Sequence, residues 1–72
     1  MTTNNLTLIE QFGDAHSRYS THGGVLIDVV REIDGHWVAY RMEPGAQVGH
    51  ELEDAPHEER LMKLLERKLQ TL

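Results

Sequence analysis

The feature that most constrains this chain is a β-branched run closed by a reversal. Val25-Leu26-Ile27-Asp28-Val29-Val30-Arg31-Glu32-Ile33 is followed by Asp34-Gly35 and then by a second strand-like run ending at Met42. β-Branched residues fit a pleated, half-buried surface, so both runs predict strands. Asp34-Gly35 suits the two positive φ angles of a type I′ turn, and the expectation is a two-residue hairpin over residues 24–43. That turn sets a register, with Arg31 opposite Val38, Val29 opposite Tyr40, and Asp28 opposite Arg41. Val25, Ile27, Val29, Val38, Tyr40 and Met42 then share one face. Asp28, Glu32, Trp37 and Arg41 share the other. A slip of one residue would exchange the two faces, so all later reasoning about the surface depends on this pairing.

The flanking segments complete the expected fold. Leu8, Phe12, Ala15 and Tyr19 recur at spacings of four, three and four, which predicts a helix over residues 6–20 ended by Gly23-Gly24. Pro44-Gly45 marks a second turn. Residues 46–52 alternate weakly and read as either an edge strand or a loop. Residues 55–71 read as a second helix, with Asp54 as cap, Pro56 in the first turn, and Glu58 and Glu59 at the positive end of the helix dipole. Met62, Leu65 and Leu69 are expected to bury against the sheet. The expected fold is therefore a two-layer α+β single domain spanning residues 1–72. Its order is α-β-β-(β)-α, with both helices on one face of the antiparallel hairpin.

Composition removes several classes of function. There is no cysteine in the 72 residues, which excludes a disulfide staple and a zinc ribbon. The formal net charge of −5 argues against binding a phosphate backbone. Acidity is uneven: residues 1–54 carry nine acidic and three basic side chains, residues 55–72 three and four. No apolar run is long enough for a membrane span, and Met1-Thr2-Thr3-Asn4-Asn5 is not the start of a signal peptide, so a cytoplasmic protein is expected. A chain this short buries only about 60% of its unfolded surface. Association is the remaining staple, and a homodimer is expected through the wide leucine stripe of the second helix, at Leu61, Leu64, Leu65 and Leu72.

Candidate chemistry is sparse. Ser17 and Ser20 lie near His16 and His22, but no nucleophile elbow or phosphate-cradling glycine loop occurs. No catalytic residues are assigned and no enzyme is expected. His50 and His57, with Glu51, Glu53, Asp54 and Glu58 between or beside them, are the candidate carboxylate–imidazole site for a divalent ion or small ligand. Neither a His-x₃-His pair nor a Cys supports it, and no metal or cofactor is assigned. Trp37 has two readings. On the outer sheet face it would anchor a partner, with Arg41 beside it and Glu51, Glu53 and Asp54 supplying charge complementarity. Alternatively it packs over Leu26, Val30 and Ala39 within the chain. The expected function is a small acidic protein-binding module, an adaptor, regulator or inhibitor acting by surface contact, with the His50/His57 ligand site as the alternative.

Overall fold

The computed structural model describes residues 6–43 and 49–70. Five strands precede one helix: β1 (Leu6–Gln11), β2 (His16–Thr21), β3 (Leu26–Arg31), β4 (Trp37–Met42), β5 (His50–Ala55) and α1 (Glu58–Gln70). The strands form one antiparallel sheet in the order β1-β2-β3-β4-β5, so each strand pairs with its neighbour in sequence. α1 lies across one face, mainly over β4 and β5. The other face has no covering layer among the described elements.

The N-terminal helix expected over residues 6–20 is absent, and two strands take its place. The expected order α-β-β-(β)-α, with helices at both ends, is corrected to β-β-β-β-β-α. The physical reason lies at Gly13, whose φ is +108°. That conformation suits a turn and has no place inside an α-helix. Phe12 N–H donates to the His16 carbonyl at 2.8 Å, which closes the reversal between β1 and β2. The spacing of Leu8, Phe12, Ala15 and Tyr19 was coincidental with helical period. Beyond the turn, His16, Arg18 and Ser20 alternate with Ser17, Tyr19 and Thr21, which is strand period.

The expected hairpin forms over β3 and β4, but its register differs by one residue. Glu32 N–H donates to the His36 carbonyl at 2.7 Å, and Gly35 N–H donates to the Glu32 carbonyl at 2.9 Å. These bonds enclose a three-residue loop, Ile33-Asp34-Gly35. Gly35 has φ +89° and no non-glycine residue among those described has positive φ, so Asp34 cannot be the first half of a type I′ turn. The loop is a tight turn followed by a glycine bulge. Val29 therefore pairs with Ala39, Asp28 with Tyr40, Val30 with Val38, and Arg31 with Trp37. The two faces of β4 are exchanged relative to the expectation: Trp37, Ala39 and Arg41 join Ile27 and Val29, while Val38, Tyr40 and Met42 join Asp28.

Ile27 and Val29 are fully buried beneath α1, together with Leu61 and Leu65. Ala39 and Ala55 are also buried, and both lie in the strands that α1 crosses. Small side chains there let the helix approach while Leu61 and Leu65 fill the space between. Trp37, Leu52, Met62, Leu64 and Leu69 pack around this centre, half-buried. Each fully buried aliphatic side chain contributes about 1.5–3 kcal/mol. The helix begins three residues later than expected. Asp54 lies in β5 rather than at a cap, while Glu58 and Glu59 occupy the first turn and Arg67 and Lys68 the last, each matching the helix dipole.

β5 overlaps the later part of the expected edge strand and extends past it. Ala39 pairs with Glu53 and Tyr40 with Glu51, leaving Leu52 as the extra residue of a bulge that packs on the core. Pro44-Gly45 and residues 46–48 lie outside the described residues. At the far side of the sheet, β1 is the other edge, and Leu8 and Ile9 are each half-exposed there. No helix among the described residues is long and apolar enough to cross a membrane.

Candidate functional site

The residues most organised beyond what the core requires lie on the uncovered sheet face. Arg18, Asp28, Tyr40 and Glu51 form one row across β2, β3, β4 and β5, each the cross-strand partner of the next. His16, Val30, Val38 and Asp54 form the adjacent row. Cross-strand partners share a face, so these eight side chains point away from α1.

Asp28 is the hub. It is 4% exposed although no helix covers it, because its neighbours roof it over. Arg18 grips it with two bonds, Nε to Oδ1 at 2.7 Å and a terminal nitrogen to Oδ2 at 3.1 Å. His16 Nε2 lies 2.9 Å from Oδ2. A carboxylate only accepts, so Nε2 is the ring nitrogen that carries the hydrogen in this contact. Burial pushes the Asp28 carboxyl up, but the bonds from Arg18 and His16 and their charge outweigh it, and the net effect holds it below its ordinary range. The same contact, led by the bond to Asp28, raises the Arg18 guanidinium.

Phe12 closes the stack. Its ring centroid is 4.6 Å from that of His16, and the Arg18 guanidinium sits 5.2 Å from the Phe12 centroid. The β1–β2 turn thus folds Phe12 over both partners of the carboxylate, leaving Phe12 45% exposed. On the far side of Asp28, the Tyr40 hydroxyl donates to Glu32 at 2.6 Å. That bond, then burial and the Glu32 charge, pushes the phenol up to about 12. Val38 is buried and Leu26, Val30 and Met42 are half-buried between these polar posts. Glu10, Glu32, Glu51 and Asp54 carry negative charge around the patch, and His36 lies 4.0 Å from Asp54.

The sequence-predicted partner residues divide between the two faces. Glu51 and Asp54 are on the open face, and both are exposed. Trp37 is on the α1 side, half-buried against the core, with Arg31 at 5.9 Å from its ring centroid. Arg41 is also on the α1 side, exposed and 3.6 Å from Glu43, so the expected Asp28–Arg41 pair does not form. Glu53 faces α1 and lies 3.7 Å from Lys68. Of the residues of the expected dimer seam, Leu61 and Leu65 are fully buried under the sheet and Leu64 is half-buried. Leu72 lies outside the described residues.

His50 opens β5 and His57 precedes α1, both exposed. Among the described residues no three His, Cys, Asp or Glu side chains converge as a metal site would require. The residues missed by sequence reasoning are Phe12, His16, Arg18 and Tyr40. For His16 and Arg18 the signal was present as the two-residue alternation of His16, Arg18 and Ser20, hidden once the segment was read as a helix. Comparison of the chain with protein-family models, curated proteins and solved structures finds no match.

Proposed function

We propose that the protein is a binding module for another protein, acting without catalysis through the open sheet face. The observation that supports this most is the fixation of side chains there. Arg18 is held by two bonds to Asp28, Tyr40 by Glu32, and Phe12 by contact with His16 and Arg18. Binding costs about 0.5–1.5 kcal/mol for each flexible side chain that must be immobilised. Arg, Tyr, Phe and Met are the residue types enriched at interface centres, and here the first three are already in place. The patch is a flat sheet face, which suits a protein surface better than an enclosed substrate. Its rim is acidic, at Glu10, Glu32, Glu51 and Asp54, so the fitting partner has an apolar centre ringed by Lys or Arg.

Photo-crosslinking in the source cell tests this directly. A photoreactive phenylalanine at position 12 should capture one defined partner, and the same group at exposed Lys63 on α1 should not. With the partner identified, Phe12→Ala should weaken binding by more than 1 kcal/mol. Equal capture from both positions, or an affinity unchanged by Phe12→Ala, would remove the open face as the docking surface.

A further inference from the structure

On the opposite side of the sheet, where the C-terminal half of α1 overhangs the β2–β3 turn, a half-open cavity of about 510 Å³ remains. Its apolar wall is formed by Val25, Ile27, Leu52 and Leu69. His22, Arg41 and Lys68 are the ionisable side chains that line it, and none of the described lining residues is an aspartate or glutamate. In a chain of net charge −5, a cavity whose ionisable lining is entirely basic is a departure from the rest of the surface. The volume falls in the range that holds one small ligand.

The geometry points to a binding site for a single-chain amphiphilic anion, an apolar tail ending in one carboxylate. The tail would lie against Val25, Ile27, Leu52 and Leu69, removing apolar surface from water on both sides. The carboxylate would sit at the mouth, among the cationic groups. Lys68 Nζ donates to the Leu52 carbonyl at 2.9 Å, which fixes the ammonium at the cavity wall. Arg41 Nε is 3.6 Å from Glu43, and Lys68 is 3.7 Å from Glu53. The first pair is exposed and the second partly exposed, both at long distance and of the kind worth little, so an entering carboxylate competes with them at small cost. An Arg guanidinium also suits the fork of a carboxylate better than any other side chain does. The site lies on the α1 side, apart from the open face, and stands independently of the protein-binding proposal.

An NMR titration of the full chain tests the assignment, using decanoate below its micelle concentration, with 1-decanol and decyltrimethylammonium as uncharged and cationic counterparts. Decanoate should give saturable shifts at Val25, Ile27, Leu52 and Leu69. It should bind at least about tenfold more tightly than either counterpart, the difference one charge-assisted contact makes. Arg41→Gln, at an exposed position that leaves the core untouched, should remove most of that preference while 1-decanol binds as before. No saturable shift, equal binding of the three amphiphiles, or shifts confined to open-face residues such as Val30 and Tyr40 would each overturn the proposal.

Discussion

Asp28→Asn isolates the open-face hub with almost no change of shape. The amide keeps one oxygen as acceptor and turns the other position into a donor aimed at Arg18 or His16. Hydrogen bonds to charged groups contribute about 1.5–3 kcal/mol each. Three such contacts converge on Asp28, but the Arg18 and His16 side chains retain about a third of their exposure, so water replaces part of what is lost. The expected loss is about 2 kcal/mol at neutral pH. For a domain of this size, urea dependence is about 1 kcal/mol per molar, so the midpoint should fall by roughly 2 M. The effect has a pH signature. Asp28 is held below its ordinary value of 3.8 in the folded chain, so the unfolded chain takes up the proton first as pH falls. Its contribution is therefore complete above about pH 4 and lost as pH drops through the lower folded value. The gap between wild type and Asp28→Asn should close over that acid window in urea titrations followed by Trp37 fluorescence. A variant as stable as wild type at pH 7, or a gap that persists unchanged into strong acid, would refute the hub.

Three further outcomes follow from the register and the packing. Tyr40→Phe should cost about 1 kcal/mol at neutral pH. Because the folded phenol is raised from 10 to about 12, the Tyr40 contribution is complete below pH 10 and lost between there and pH 12, which ultraviolet titration of the wild type and the variant will show. Trp37→Ala should destabilise the fold by about 3 kcal/mol, since the indole packs on the α1 side of the sheet; a variant with unchanged thermal stability would restore Trp37 to the surface. Leu61→Ala should cost about 2–5 kcal/mol by opening a cavity within the chain, by the same amount in dilute and concentrated protein. A loss that depends on protein concentration in calorimetry would return Leu61 to an interface between copies.

Two elements of the fold, the β3–β4 hairpin and α1, were legible because local chemistry and tertiary demand agree there. The β3–β4 hairpin follows from its β-branched runs and the glycine at its tip. α1 follows from Glu58 and Glu59 at one end, Arg67 and Lys68 at the other, and the leucines between. Residues 6–20 were not legible because two signals conflict there. Leu8, Phe12, Ala15 and Tyr19 match a helical stripe, whereas Gly13-Asp14 and the His16–Thr21 alternation match a turn and a strand. A short polar strand such as His16–Thr21 has no strong propensity of its own and becomes a strand by pairing with β1 and β3 on either side. Expecting a helix there also hid β1, and with it a sheet wide enough to have a bare face.

The β4 part of the site was lost through a single residue of register, and the physical cause is the choice between two turns that share one sequence signal. Asp34-Gly35 fits a two-residue turn if Asp34 takes positive φ, and a three-residue turn if Gly35 alone does. An aspartate in the left-handed region is disfavoured relative to glycine, so the second solution asks less of the backbone. It also places Val29 against Ala39 beneath the helix and Arg31 against Trp37, and it puts Asp28 between Arg18 and Tyr40. In the two-residue register Asp28 would meet Arg41 on β4 in place of Tyr40. Its contacts with Arg18 and His16 come from β2, a strand that local reading of the hairpin could not supply, and they do not depend on this turn. The turn thus decides which side chains of β4 meet α1 and which, Val38 and Tyr40 among them, join the Phe12–His16–Arg18–Asp28 stack on the open face. Of the open-face proposal, the Tyr40–Glu32 anchor and the buried Val38 depend on that choice.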